Sequence, residues 1–408
     1  MTISRLDLIE TDGTTGTREE ARTRIHFEAQ EFEQRRRRAC ERILEERLDG
    51  LLIFRQESMY YLTGFDRMGY LSFQVLYLGA DGRLTLLTRP PDAIQARQTS
   101  TIEDIRTWID RDGVNPALAI RDMLDSHRLQ CKRLGVEYDA VGLSARRGQM
   151  LDEALDGFCT LVDASELIAR IRLLKSPAEQ AYIRKSAALT QAALADAIRL
   201  SLPGRSLGEI YAAMYATIMA GGGDVPPSGR WPMGCRESAQ LVRYFTGSPE
   251  LRIGLNDQVT NEFGAGYRHY HTAAMFVALT GKVDPRHRQM FSACCEAVEA
   301  SQAAARPGKT MGEIYDAYAR VLTHAGFAGK FLAACGYHIG IAYPPSWVEE
   351  PMIYEGNPLV LEPGMVLFMH MIMQDEDAAL AMSLGETVIV TSKGCERLTR
   401  VPRELVIN

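Results

Sequence analysis

Apolar residues along the chain follow two periods, and the switches between them outline a fold. Short apolar runs at 50–54 (Gly-Leu-Leu-Ile-Phe), 74–78 (Gln-Val-Leu-Tyr-Leu) and 84–87 predict buried strands, with a hairpin-type turn at Asp81-Gly82. Residues 118–129 and 146–155 carry the helical period, and a charged helix spans roughly 27–47. Strands alternating with helices mark an α/β unit that ends near Asp163. Residues 166–175 form a helical connector. Ser176-Pro-Ala-Glu179 then opens a long helix: Ser176 caps it, Pro177 suits its first turn, and Glu179 completes a capping box.

The second half repeats itself. Pro203-Gly-Arg-Ser-Leu-Gly-Glu-Ile-Tyr211 returns 104 residues later as Pro307-Gly-Lys-Thr-Met-Gly-Glu-Ile-Tyr315. Each copy holds Ser/Thr-x-x-Glu, so Ser206 with Glu209, and Thr310 with Glu313, start a helix. Each helix runs into glycine, at 221–223 and at 326. Strand-like segments at 239–245, 258–263, 267–276, 366–373 and 380–391 complete a mixed sheet with helices outside and a pocket inside. The fold class is α/β (α+β), with a duplicated C-terminal half.

Composition narrows the function. The chain has 408 residues, 46% of them hydrophobic and 24% charged, enough for two domains. The expected division is a poorly ordered 1–25, an N-terminal domain over 26–165 and a catalytic domain over 166–408. The formal net charge is −6, which gives no reason to expect a nucleic-acid partner. The run Arg35–Arg38 reads as a solvated helix face. The eight cysteines form no C-x-x-C pair, so a zinc knuckle or redox motif is not expected. Residues 1–17 lack an apolar signal core, and no run of about 18 apolar residues occurs. A cytoplasmic protein without membrane segments is the expectation.

Together these features resemble the creatinase, aminopeptidase P and prolidase superfamily, whose catalytic domain has the pita-bread fold. Ile171-Arg-Leu-Leu-Lys-Ser-Pro-Ala-Glu179 resembles its domain-joining segment. Residues 256–276, 336–345 and 361–373 resemble its three pocket-forming segments, with Leu361-Glu-Pro-Gly-Met-Val366 the most specific marker. Ser58-Met-Tyr-Tyr-Leu-Thr-Gly64 resembles the strand end that reaches a neighbouring subunit's site. The resemblance therefore implies a homodimer, with Tyr61, Phe65, Asp66 and Arg67 closing the partner's pocket.

Peptidase members bind two metal ions through two Asp, one His and two Glu. Carried over, these positions fall on Glu262, Ala273, Tyr337, His370 and Gly385, with Glu386 one residue on. Two divalent ions a few ångströms apart need bridging carboxylates to offset their repulsion. Ala273, Tyr337 and Gly385 supply none, so no dinuclear centre, and no other cofactor, is expected.

The resemblance extends to metal-free members, creatinase and ectoine hydrolase, which open a C–N linkage in small amidine-like compounds. The chain offers groups for such work on a small-molecule substrate. Glu262 and His370 are the first acid–base candidates, and His271 and His338 come next. His269 and His271, two apart, share a face if both lie on a strand. His287 and His324, on helix-like segments, read as structural. Arg243 falls where the superfamily's usual catalytic His stands. A guanidinium cannot act as base but suits a substrate carboxylate. Tyr337, Tyr343, Trp347 and Tyr354 flank Pro344-Pro345 and could enclose a cation. The loop 343–347 resembles the Pro-Pro-Asp-Trp type of ectoine-hydrolase-like members, with Ser346 for Asp. Glu349 and Glu350 read as rim charges.

Three rival readings remain. A metal-dependent lyase acting on dimethylsulfoniopropionate-like zwitterions would use Glu262, His338, His370 and Glu386 as a rearranged mononuclear site. An Xaa-Pro peptidase would need the missing two-metal set. A non-catalytic binding protein would leave the polar pocket groups without a purpose.

Overall fold

A computed structural model describes residues 25–227, 233–235 and 250–408. The strand expected at 239–245, and Arg243 within it, lie outside the described residues.

The N-terminal part runs α1 (Ala29–Glu45), β1 (Gly50–Ile53), α2 (Gln56–Thr63), β2 (Val75–Gly79), β3 (Leu84–Thr88), α3 (Pro90–Thr99), β4 (Asp104–Thr107), α4 (Pro116–Ser126), β5 (Arg133–Val136), α5 (Ala145–Leu155) and β6 (Thr160–Asp163). Its strands form one sheet in the order β4-β3-β2-β1-β5-β6. The unbroken apolar run at 50–54 follows from burial on both faces. Leu51 and Ile53 join the core shared with α1, while Leu52 and Phe54 join the cluster under α4 and α5.

Three expectations change here. Residues 56–63 are a helix, closed by Gly64 in the left-handed conformation (φ 81°), and not a strand end. Tyr61 and Phe65 are fully buried in their own domain. Arg67 is buried too, paired with Asp92 at 3.0 Å and donating to Ser72 at 2.6 Å. None of the three offers an exposed side chain to a partner subunit. Arg35 also departs from the solvated face read at 35–38. Its side chain is 0% exposed, its guanidinium lies over the rings of Phe27 (4.1 Å) and Tyr61 (4.5 Å), and it donates to the Tyr61 carbonyl. Glu31 and Glu179 lie beside it, at 3.0 and 3.8 Å.

The C-terminal part holds α6 (Glu166–Arg172), α7 (Pro177–Leu200), α8 (Leu207–Ala220), β7 (Met233–Cys235), β8 (Gln258–Tyr267), β9 (Tyr270–Leu279), α9 (Pro285–Ala304), α10 (Met311–His324), β10 (Ala334–His338), β11 (Glu349–Tyr354), β12 (Val366–Asp375), β13 (Leu380–Thr391), β14 (Gly394–Arg397) and β15 (Val406–Ile407). Ser176 and Thr310 each sit in a complete capping box, and Ser206 accepts from the Glu209 amide. The repeated sequence thus gives two like halves, α7-α8 before β8-β9 and α9-α10 before β12-β13.

One mixed sheet runs β11-β10-β12-β13-β9-β8-β7. In the sheet the halves join where β13 pairs with β9, Gly385 beside Met275 and Glu386 beside Ala274. α7 covers one face of β8-β9, where Ser186 and Thr190 bond Thr272, and α9 covers the same face of β13, where Gln302 bonds Glu386. The other face is concave. Four strand steps separate β10 from β8, about 19 Å in a flat sheet. The Tyr337 hydroxyl of β10 nevertheless comes within 3.5 Å of the Glu262 carboxylate of β8. The backbone shows how: the His271 amide donates to Gly340 and the Ala342 amide to His269, so the segment after β10 zips onto the start of β9.

Candidate active site

Strand register builds the site. Pairing sets Glu262 beside Met275, Met275 beside Gly385, and Gly385 beside His370. Residues paired across strands share a face, so these four form one row on the concave side. Ala273 lies two residues from Met275 and faces the same way. The Tyr337 ring sits 5.4 Å from that of Phe368 and 5.7 Å from that of His370. All five positions carried over for the family's metal ligands therefore converge here.

The side chains present do not fit a pair of metal ions. Only one, Glu262, is a carboxylate. A Cβ on Gly385 would come within 2.7 Å of the Phe368 ring and 2.9 Å of the Met275 Cβ, so Phe368 fills the room a carboxylate would take. Glu386 points to the other face. It accepts from Arg397, Arg403, Gln302 and the Val401 amide. Burial pushes its carboxyl up, but the bonds from Arg397 and Arg403 prevail and hold it below the usual range. Among the described residues no group of three or more His, Cys, Asp or Glu side chains could hold a metal ion.

A hydrogen-bonded chain runs along this face. The Trp347 indole Nε1–H donates to the Tyr337 hydroxyl at 2.9 Å, and that hydroxyl approaches Glu262 Oε1 at 3.5 Å. Glu262, Tyr337, Trp347 and His370 are all buried. The structure thus brings together four of the residues predicted from sequence.

Among the described residues it does not bring the others to them. His271 shares the concave face but lies four residues from Met275, about 13 Å along the strand. Its ring folds over Gly266, neither ring nitrogen has a side-chain partner among the described residues, and burial pushes it down to about 4, so it stays neutral. His338 follows Tyr337 on β10 and so faces the opposite way. Its Nδ1 lies 3.2 Å from Glu349 and its Nε2 meets the Lys175 ammonium. Burial and Lys175 lower it to about 4, and burial lowers Lys175 itself to about 8. Glu349, read as a rim charge, is instead an ion-pair partner of Arg172. That guanidinium overcomes the upward push of burial and takes the carboxyl down to about 2. The lyase reading loses two of its four ligands, because His338 and Glu386 both turn away from Glu262.

His269 leaves its expected strand face. β8 ends at Tyr267 and β9 begins at Tyr270, and the two residues between them, Arg268 and His269, both have positive φ (53° and 64°). The turn swings His269 to the N-terminal part, where its Nε2 meets Asp66 at 2.9 Å. Tyr343 stacks on it at 4.3 Å, so this ring serves the domain junction and not the Glu262 site. Tyr354 is 45% exposed and does not line the site either. Sequence reasoning missed Phe368, the occupant of the Gly385 position. Its signal was available: two residues before His370, it shares that residue's face. The domain-junction group of Asp66, His269 and Tyr60, with His26 on the Tyr60 hydroxyl, had no local signal.

The comparisons agree with this architecture. Residues 35–174 match the creatinase/prolidase N-terminal domain and residues 181–392 match metallopeptidase family M24. The chain belongs to family M24, within the creatinase and aminopeptidase P superfamily, and is a hydrolase of that family. An uncharacterised hydrolase/peptidase of Sinorhizobium fredii is 29% identical over 395 residues, covering 94% of this chain and 99% of the relative. The ectoine hydrolase of Halomonas elongata is 27% identical over 390 residues, covering 88% and 93%. Among solved structures, the dipeptidase PepE of Mycobacterium ulcerans superposes with a TM-score of 0.79 at 23% identity, over 93% of this chain and 99% of that one. At that identity the likeness shows the fold alone. No helix among the described residues is long and apolar enough to cross a membrane.

Proposed function

We propose that the protein hydrolyses a C–N bond in a small cyclic amidine of the ectoine type, without a bound metal. The observation that carries this reading is the concave face itself, where Glu262, Tyr337, Trp347 and His370 stand at and around positions that hold metal ligands in peptidase relatives. The 27% identity to an ectoine hydrolase along most of both chains supports it.

An amidinium carbon is already cationic, so water can add to it without a Lewis acid once a base takes a proton. Glu262 is that base, and its negative charge also attracts the cation. The new C–O bond gives a tetrahedral intermediate. Its collapse breaks one C–N bond, and both protons of the water end on the departing nitrogen. Amidinium and water thus become an amide and an ammonium group, with charge conserved. His370 and Tyr337 are the groups on the same face able to return the proton. Arg243 suits a substrate carboxylate.

Xaa-Pro dipeptidases are the second reading, favoured by the 24% identity over 245 residues to the Pyrococcus furiosus enzyme. One experiment separates the two. Protein purified without a metal-affinity tag is analysed for metal and assayed on ectoine and on Xaa-Pro dipeptides, with and without chelator. The expected result is ectoine turnover that resists chelator, with metal far below one per chain, and its loss in Glu262→Gln. Chelator-sensitive dipeptide cleavage with tightly held metal would overturn the proposal.

A further inference from the structure

We infer that Trp347 is a positioning residue that fixes Tyr337 as a hydrogen-bond donor, and that Tyr337 is the catalytic acid which protonates the departing nitrogen. The inference rests on the hydrolytic reading above and decides between its two proton-returning groups.

The argument starts from donor and acceptor chemistry. An indole Nε1–H can only donate. At 2.9 Å from the Tyr337 oxygen it occupies one of that oxygen's lone pairs. The phenolic hydrogen must then point elsewhere, and the Glu262 carboxylate at 3.5 Å, acceptor-only when ionised, draws it toward the site. Trp347 is itself buried, carried on the segment between β10 and β11, so the indole is held by packing as well as by this bond. Accepting a hydrogen bond also makes a phenol readier to part with its own proton, because the same bond stabilises the phenolate.

The donor-locked hydroxyl discriminates between states of the substrate. The nitrogens of an amidinium carry hydrogens and delocalise their lone pairs into the cation. They offer a donor nothing to bond. Once water has added, the nitrogens are pyramidal and each has a free lone pair. Tyr337 can then donate to the departing one as the C–N bond breaks, leaving a phenolate beside the Trp347 N–H. The proton that Glu262 took from water passes back to Tyr337 along the short path between them. Such a contact exists in the transition state and not in the ground state, so its loss lowers kcat and leaves KM near its starting value.

The test pairs kinetics with a readout independent of turnover. Tyr337→Phe is expected to lower kcat on ectoine by roughly 10²-fold or more. Trp347→Phe is expected to lower it roughly tenfold, with KM changed less than about twofold. In the Tyr337→Phe background the Trp347→Phe effect should vanish, which a merely structural role would not produce. The chain has three tryptophans, so the Trp347 indole resonance in protein labelled with nitrogen-15 tryptophan is assigned by its loss in Trp347→Phe. It should shift, and exchange faster with solvent, in Tyr337→Phe. Additive kinetic losses, or an indole signal indifferent to Tyr337→Phe, would overturn the inference. If the wild-type protein leaves ectoine intact, the hydrolytic reading and the acid role fall together, and the indole signal still decides whether Trp347 holds Tyr337.

Discussion

At the scale of single residues, the site is defined as much by its small and aromatic side chains as by its polar ones. Gly385 shows this most directly. The position to which the resemblance assigns a metal-ligating carboxylate is a glycine, and the Phe368 ring fills the space, 2.7 Å from where a Cβ would be. The exchange is coupled: a small residue on β13 permits a large one on β12. A carboxylate at 385 alone does not complete a two-metal set, since Ala273 and Tyr337 supply no further anionic ligand. Gly385→Glu is therefore expected to destabilise the fold by about 1–3 kcal/mol through overpacking, without gain of metal. Urea midpoints and metal analysis of the variant check both parts. A variant as stable as the parent would mean that Phe368 yields freely. The adjacent Glu386 makes the complementary point. One residue along a strand, its carboxylate serves Arg397 and Arg403 on the opposite face.

At the scale of elements, helix starts carried the clearest local signals. Ser176 with Glu179 and Thr310 with Glu313 form the capping boxes that their spacing predicts. Glu179 does more than cap. It accepts from the Tyr270 hydroxyl on β9 at 2.9 Å and lies near Arg35 of α1, so it ties three elements together. Ser176→Ala is expected to cost about 1 kcal/mol, because it frees the Glu179 amide while leaving the Glu179 contacts in place. Chemical denaturation measures this, and a loss near zero would mean that packing alone fixes the start of α7. Period-two logic in the strands was equally available. Glu262, Ala273, Tyr337 and His370 share a face as their register requires, and the same rule sends His338 and Glu386 to the other side. What stayed hidden depends on tertiary contact. α2 is short and buried on nearly every side, so its sequence lacks a helical stripe. β4 and β6 are four-residue strands whose pattern is too brief to stand out. The burial of Arg35 under Phe27 and Tyr61 joins parts of the chain that no local pattern connects.

At the scale of the whole molecule, buried titratable groups make stability depend on pH in a definite direction. His271 and His338 are held near 4, against about 6.5 in an unfolded chain. Between those values the unfolded chain binds protons that the folded one refuses, so stability falls as pH drops from about 6.5 toward 4. Glu349, held near 2, extends the loss in the same direction below about 4.5, where the unfolded carboxyl takes up a proton first. Lys175, held near 8, adds a penalty that is complete below that pH and is relieved only between about 8 and 10.5. Neutral to mildly alkaline solution should therefore favour the fold over acid. His271 isolates one contribution, because among the described residues its ring nitrogens have no side-chain partner to lose. Its share amounts to something on the order of 3 kcal/mol across the window, an upper figure for a fully buried imidazole. His271→Phe, similar in volume and unable to titrate, should match the parent most closely near pH 4.5 or exceed it there, and should show a shallower decline from pH 6.5 downward. Urea midpoints at pH 7.5, 6.5, 5.5 and 4.5 for both proteins measure the two slopes. Parallel declines would mean that His271 finds water or a partner when protonated, and that the acid sensitivity resides in His338 and Glu349.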